Sequence, residues 1–107
     1  MAGIKRVCSW ACTVKTPKSP DTYSEILVSF EQNQQVVLNK TKNDITISGD
    51  VIEINLTQEE TSNFESDSCC FMQVRCFADE YDAPGSAIFR IPVQRALSEE
   101  ILGGDEP

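Results

Sequence analysis

The sequence contains no histidine. Imidazole is the commonest general base and a common zinc ligand, so its absence excludes every catalytic triad that uses it and every zinc site that needs nitrogen ligands. Glycine is also scarce, and none of the five glycines stands in the strand-to-helix pattern of a phosphate-binding loop. These absences predict a protein that is not an enzyme and that holds no cofactor.

Long apolar runs are missing as well. No stretch approaches the length of a membrane span, and the charged N-terminus has no apolar run long enough for a secretory signal. We therefore expect a protein that is made and kept in a cytoplasm and that does not bind membranes. Thiols stay reduced there, and an odd count of five cysteines argues against a disulfide framework.

Two groups of possible metal ligands have unsuitable spacing. Four of the chain's five cysteines could in principle bind zinc together, but structural sites usually place two residues between thiolates. The five are Cys8, Cys12, Cys69, Cys70 and Cys76. The acids Asp79, Glu80 and Asp82 do not match a calcium loop. The sequence therefore predicts no metal site, core packing for the cysteines and a solvated turn for the acids.

The charge is acidic and unevenly distributed. The formal net charge is -8, yet residues 1–20 contain four bases and no acid, so the remainder has five bases and seventeen acids. Nucleic acid is disfavoured as a partner, because phosphates need clustered Lys and Arg. Three explanations stay open: solubility, a basic N-terminal segment that lies against acidic residues of its own or a neighbouring subunit, and mimicry of nucleic acid.

Apolar and polar residues alternate in short runs, which is typical of β-strands. Asn33 and Gly49–Asp50 mark tight turns, so we predict a hairpin around each. The last run, Ser86–Gln94, is expected to be an edge strand or bulged, because Pro92 cannot donate to a ladder. The alternating apolar positions are Cys8, Trp10, Cys12 and Val14; Ile26, Val28 and Phe30; Val36 and Leu38; Ile52, Ile54 and Leu56; Cys70, Met72, Val74 and Cys76; and Ala87, Phe89, Ile91 and Val93.

One segment departs from the alternation. Thr57-Gln58-Glu59-Glu60 fits a capping box, so a short helical turn is predicted near residues 57–64, with Phe64 entering the core. About seven strands with one such turn predict an all-β, two-layer antiparallel sandwich, and a small closed barrel is the alternative. We expect one domain over residues 1–97, in which residues 1–22 form a basic strand and a proline-containing connection, followed by an acidic flexible tail at 98–107.

The candidate interface is the face of the Cys69–Ala78 strand that points away from the core. Phe and Arg are enriched at interfaces, although the helical turn or the N-terminal segment could equally cover this face. Tyr81 on the acidic turn is expected to be exposed, and the N-terminal bases are the complementary charge. The candidate interface residues are Phe71, Arg75, Phe77, Lys5, Arg6 and Tyr81.

The stretch from Tyr23 to Leu102 resembles a family of small β proteins encoded by phages and prophages of Gram-positive bacteria. The resemblance rests on Ser24-Glu25-Ile26-Leu27-Val28-Ser29-Phe30-Glu31-Gln32, Leu56-Thr57-Gln58-Glu59-Glu60-Thr61 with Phe64, Met72-Gln73-Val74-Arg75, and Ser86-Ala87. It is similar in outline to the N-terminal sandwich domain of phage upper baseplate proteins. The N-terminal Cys8-Ser9-Trp10-Ala11-Cys12 departs from this pattern.

The resemblance implies an immunoglobulin-like or baseplate-domain-like sandwich with a structural role in a phage tail or baseplate. Its partners would be itself, as a homo-oligomer, or other phage structural proteins, in a protein made in the bacterial host cytoplasm and carried in the virion. No functional residue follows from the resemblance. The alternative is a small acidic phage-encoded inhibitor that mimics nucleic acid at a host defence enzyme.

Overall fold

The computed structural model describes residues 3–103, and residues 1, 2 and 104–107 lie outside that range. The described chain forms eight strands and one short α-helix, α1 (Gln58–Thr61). The strands are β1 (Ile4–Lys5), β2 (Trp10–Lys15), β3 (Glu25–Gln32), β4 (Gln35–Thr41), β5 (Thr46–Ser48), β6 (Val51–Leu56), β7 (Ser68–Phe77) and β8 (Phe89–Gln94).

The strands form two sheets with the orders β1-β8-β7-β3-β4 and β2-β6-β5. Every neighbouring pair is antiparallel except β1 and β8, which run parallel. The two sheets enclose a single cluster of buried apolar side chains. This architecture confirms the predicted all-β sandwich and excludes the closed barrel.

The core lies between the inner faces of the two sheets. Three aromatic rings cross it: Trp10 meets Phe30 edge-on at 6.0 Å between ring centroids, and Phe30 meets Phe64 edge-on at 5.9 Å. Such edge-to-face contacts are favourable beyond the area that they bury. Most predicted inward positions are buried, namely Trp10, Val14, Ile26, Val28, Phe30, Ile52, Ile54, Leu56, Cys70, Met72, Val74, Cys76, Ile91 and Val93.

The capping box begins α1 as predicted. The N–H of Glu60 donates to Oγ1 of Thr57 at 3.2 Å, and the N–H of Thr57 donates to Oε1 of Glu60 at 2.9 Å. These reciprocal bonds satisfy two of the donors that a helix start leaves unpaired. The chain then turns so that Phe64 is buried in the core.

A bulge in the first hairpin changes the face of one predicted residue. Phe30 pairs with Leu38, but its neighbour Glu31 pairs with Val36, so Val37 is an extra residue on β4. Strict alternation would put Val36 and Leu38 on one face. The inserted residue instead sends Val36 to the outer face and leaves Leu38 against the core.

The prediction for the N-terminal run was wrong at Cys8, which is exposed. The sequence pattern assumed one extended strand, but the chain pairs β1 with β8 and then crosses to the other sheet before β2 begins. Val7 sits in this crossing with φ +62, a left-handed conformation that no strand contains. The turn therefore removes Cys8 from the face that Trp10 and Val14 share.

The last strand also differs from its prediction. It begins at Phe89, and Ala87 is exposed. Ser86 takes the ladder positions instead, because its N–H donates to O of Val74 at 2.8 Å and its Oγ accepts from N of Val74 at 2.9 Å. Nor is β8 an edge: β1 pairs with the two residues after Pro92, since a proline removes only its own donor.

Candidate protein-binding face

The outer face of the five-stranded sheet carries the residues that the sequence singled out. The strand registers place one row of side chains across four strands: Val36 beside Glu31, Glu31 beside Phe71, and Phe71 beside Arg90. The following rows along the same face pair Ser29 with Gln73, Leu27 with Arg75, and Glu25 with Phe77. Alternation along each strand keeps these side chains on the side opposite the core.

This outer face exposes several large apolar side chains. Phe71 is 38% exposed, Phe77 40%, Val36 58% and Ile88 63%. Val36, Phe71, Ile88 and Arg75 border a groove of about 460 Å³. A second depression of about 640 Å³ lies on the other side of Phe71, so this ring stands between two concave areas.

The same face holds charges of both signs. Arg75 and Arg90 lie on β7 and β8, while Glu25 and Glu31 lie on β3. Within residues 3–103, none of these four side chains has an ion-pair partner within 4 Å. An apolar centre with such charges around it is the composition of a protein interface.

Among residues 3–103, neither of the two elements expected to cover this face does so: no described residue of α1 or of the N-terminal segment borders the groove. The two elements contact each other instead: N of Cys8 donates to Oγ1 of Thr61 at 3.2 Å, and Arg6 donates to O of Ser62 at 2.9 Å. The groove is open to solvent in the chain as described.

The six candidate interface residues separate into two groups. Phe71, Arg75 and Phe77 share the outer face of β7, and Tyr81 is almost fully exposed on the turn that follows that strand. Lys5 is on β1, the edge strand at the far side of the sheet. Arg6 already has partners within its own chain, because it forms an ion pair with Glu99 and donates a hydrogen bond to O of Phe64.

The basic N-terminal segment lies against acidic residues of its own chain. Lys18 binds Asp82 at 2.5 Å, which raises the pKa of Lys18 through the hydrogen bond and charge of that carboxylate. Lys15 lies 3.6 Å from Asp50. One of the three explanations for the uneven charge, contact within the subunit, is therefore present in the structure.

The predicted acidic tail makes contacts up to the end of the described range. Gln58 donates through Nε2 to O of Leu102 and accepts from N of Leu102, both at 2.9 Å. Glu99 binds Arg6. Residues 104–107 of the tail lie outside the described residues, and the flexibility of the tail stays a prediction.

Two members of the face, Val36 and Ile88, were missed from the sequence. The bulge that exposes Val36 has no signature in the residues around it. Ile88 did have a signal, because the predicted alternation of Ala87, Phe89 and Ile91 leaves it facing outward. An isoleucine at an outward position of a predicted strand is the pattern that would have identified it.

The other groups that the sequence singled out are the cysteines and the acidic turn. Burial raises the pKa of the Cys12 and Cys70 thiols to about 11 and also raises that of Cys76, so these thiols stay protonated. Within residues 3–103, no group of three or more Cys, Asp or Glu side chains is placed to bind a metal. The Asp79–Asp82 turn is closed by its own bonds, with Oδ1 of Asp79 accepting from N of Tyr81 at 2.8 Å.

Comparison with known proteins supports the fold. No protein-family model and no curated protein matches the chain. Two structures of the mouse leukocyte-associated immunoglobulin-like receptor 1, each a strand-swapped dimer, align with this chain at a TM-score of 0.51 and 10% sequence identity. The alignment with the immunoglobulin-like domain covers 84% of this chain and 83% of the mouse chain. The alignment with the extracellular domain covers 86% of this chain and 85% of the mouse chain. An amphioxus V domain, from IgVJ-C2, scores 0.38 at 11% identity, covering 87% of this chain and 99% of that one.

At this level of identity the mouse structures establish a fold and nothing more. The chain is similar to immunoglobulin-like domains in its two-sheet architecture. The fold shown is therefore an immunoglobulin-like β-sandwich.

Among residues 3–103, no helix has the length and apolar character that crossing a membrane requires.

Proposed function

We propose that this immunoglobulin-like domain is a protein-binding module without catalytic activity, which self-associates through the outer face of its five-stranded sheet. One observation carries the proposal: Val36, Phe71 and Ile88 are all substantially exposed around one groove on this sheet face. Exposed apolar residues that form a contiguous patch, unlike scattered ones, are typical of sites where another protein binds.

A second copy of the chain suits this face because its charges complement themselves. Arg75 and Arg90 can face Glu25 and Glu31 of another copy, whereas the net charge of -8 would repel a like-charged face that had only acids. A two-fold arrangement uses the same patch on both subunits. The similar mouse domains are strand-swapped dimers, which supports self-association in this fold.

The test is the solution mass of the Phe71→Ala variant by light scattering over a range of concentrations. We expect wild type to form a discrete oligomer and the variant to need at least tenfold more protein for the same mass, because tenfold corresponds to about 1.4 kcal/mol and truncating a central hot-spot side chain costs about 2 kcal/mol or more. Arg75→Ala should weaken association in the same direction.

The matched control is Glu53→Ala, an exposed substitution on the outer face of the other sheet. It should leave the oligomer mass unchanged. An unaltered mass for Phe71→Ala with an intact circular dichroism spectrum would overturn the proposed face. A stable wild-type monomer that co-purifies with a host nuclease would favour the inhibitor alternative instead.

We propose a phage tail or baseplate as the setting of this association. The support is the sequence resemblance, above all Leu56-Thr57-Gln58-Glu59-Glu60-Thr61, a capped turn with a structural function. Mass spectrometry of purified phage particles tests whether the chain belongs to the virion. Stoichiometric amounts of the chain in washed particles are the expected result, and its absence from them would refute the virion role while leaving the binding face untouched.

A further inference from the structure

A second surface on the molecule, the free edge of β2, is suited to strand addition. β2 is the outer strand of the three-stranded sheet, and within residues 3–103 it pairs with β6 alone. The preceding strand β1 does not cover it, because β1 pairs with β8 in the other sheet. An edge of this kind presents a row of backbone donors and acceptors to any extended chain that approaches it.

The hydrogen-bond pattern shows which backbone groups point outward. The N–H of Thr16 donates to O of Asp50 at 3.5 Å, which continues the β2–β6 register by one pair. In an antiparallel ladder only alternate residues exchange bonds with the partner strand. The residues between them, Ala11, Thr13 and Lys15, therefore direct their N–H and C=O groups away from β6, and all three are exposed.

Few of the usual protections against edge pairing are present on β2. Its register with β6 is continuous, without a bulge, and it contains no proline and no charged residue on its inner face. Its only charge, Lys15, is the last residue of the strand. The edge strand β4 of the other sheet differs, because it has both a bulge and the inward-pointing Lys40.

A cavity between the sheets adjoins this edge. It measures about 420 Å³, and Val14 on β2 and the inner-face residues Val74 and Cys76 of β7 border it. Pro84 closes its far side. A strand added to β2 would place its own inward side chains over this apolar opening and remove part of it from water.

We propose that a second copy of this chain adds its β2 to the free edge of β2, antiparallel and with a two-fold axis at Thr13. The three outward-directed residues are spaced evenly about Thr13, so β2 is complementary to itself. Thr13 pairs with Thr13 of the second copy, and Ala11 pairs with Lys15 of the second copy. No like charges stand opposite each other, and the sheet continues across both subunits.

This register also fills the inner face. Val14 comes opposite Cys12 of the second copy, beside the opening between the sheets. Cys12 is half-buried in the single chain, and pairing would bury it further. The contact is separate from the outer face of the five-stranded sheet, so either interface can be present without the other.

The test is cross-linking of Thr13→Cys in a Cys8→Ser, Cys69→Ser background. Partners in a hydrogen-bonded antiparallel pair have Cα atoms about 5.5 Å apart, which a disulfide can span. Oxidised glutathione takes up the two electrons and two protons that the thiols release, giving two reduced glutathione molecules. We expect a covalent dimer as the main product.

Ala11→Cys in the same background is the matched control. It is also exposed on β2, but its counterpart in the second copy lies four residues along the strand, roughly 13 Å away. We expect Thr13→Cys to cross-link at least tenfold faster than Ala11→Cys. Equal rates, or no dimer from Thr13→Cys, would overturn the proposed register.

Thr13→Pro gives a second readout that does not depend on oxidation. The N–H of Thr13 points away from β6, so proline there removes no bond of the β2–β6 ladder. Thr13→Pro and its control Thr13→Val are each also combined with Phe71→Ala, which weakens the interface on the outer face of the five-stranded sheet. There we expect Thr13→Pro to have the mass of a monomer with unchanged circular dichroism, while Thr13→Val retains the dimer; a dimeric, folded Thr13→Pro contradicts the proposal.

Discussion

The two outer faces of the sandwich differ sharply, although their inner faces are alike. The five-stranded sheet exposes Phe71, Phe77 and Val36. The three-stranded sheet exposes mainly small or polar side chains, namely Ala11, Thr13, Lys15, Thr46, Ser48, Glu53 and Asn55. Both inner faces contribute apolar side chains to the buried core. The fold therefore needs one apolar face on each sheet, and the large apolar side chains on the outer face of the larger sheet are an addition.

This contrast separates residues that hold the fold from residues that are available for binding. A half-solvated antiparallel sheet normally alternates apolar inward and polar outward residues, and the three-stranded sheet follows that rule. β7 breaks it, because Met72 and Val74 face inward while Phe71 and Phe77 face outward. Removing the outward pair should affect association, whereas removing the inward pair should affect folding.

The largest expected effect comes from substitutions on the two faces of β7. Met72→Ala removes a fully buried side chain and should reduce the free energy of unfolding by about 3 kcal/mol. Phe71→Ala, at the neighbouring position, should reduce it by only about 1–2 kcal/mol in the monomer, because the ring is already partly in water. Urea unfolding at low protein concentration measures both.

Equal losses for the two variants would remove the distinction between the faces. Met72→Leu is the conservative control, since a swap of similar volume should cost less than about 1.5 kcal/mol. A large loss for Met72→Leu would mean that the site tolerates no change of shape, and the alanine result would then say little about burial.

Much of this contrast could be predicted from the sequence, because alternation with a period of two reports directly which side chains share a face. It placed Ile52, Ile54 and Leu56 inward and Phe71 and Phe77 outward. The capping box at Thr57 was equally local, since both of its partners lie within four residues. Signals of this kind need no knowledge of the distant chain.

The features that escaped prediction depend on how the strands pair with one another. The bulge that turns Val36 outward is set by pairing with Glu31 across the hairpin. The exposure of Cys8 follows from β1 pairing with β8, a strand at the other end of the chain. The partners of Arg6, which are O of Ser62 and the carboxylate of Glu99, lie 56 and 93 residues along the chain, so the local sequence does not indicate them.

Two cysteines that differ in burial, the exposed Cys8 and the buried Cys70 on the inner face of β7, allow a chemical test of how firmly the core is closed. Burial raises the pKa of Cys70 from 9.0 to about 11, which reduces its thiolate fraction near neutral pH by about 100-fold. Iodoacetamide at pH 8, followed by peptide mapping, should modify the exposed Cys8 at least 100-fold faster than Cys70. Comparable rates in the native protein would mean that the inner face opens readily; unfolding in urea should equalise them.

A smaller effect is expected at the edge of the five-stranded sheet. Lys40 points inward from β4 and binds Glu60 of the capping box at 2.5 Å, with both side chains mostly buried. Lys40→Ala should lower the free energy of unfolding by about 2 kcal/mol, because it leaves a charged hydrogen-bond acceptor without its donor. Lys15→Ala, which removes the exposed pair with Asp50, should cost less than about 0.5 kcal/mol.

The Lys40–Glu60 pair also predicts a pH dependence. Burial opposes ionisation of Glu60, but the hydrogen bond from Lys40 and that from the Thr57 backbone outweigh it, so the pKa of Glu60 is below its usual 4.5. A carboxyl whose pKa is lowered by folding stabilises the protein fully at pH values above its unfolded-state pKa. This stabilisation is lost as the pH falls through its folded-state pKa. Glu60→Gln should therefore be less stable than wild type at pH 7, and this difference should shrink below about pH 4. Urea titrations at pH 7, 5 and 3 measure it, and a difference that stayed constant across them would mean that the charge of Glu60 does not stabilise this edge.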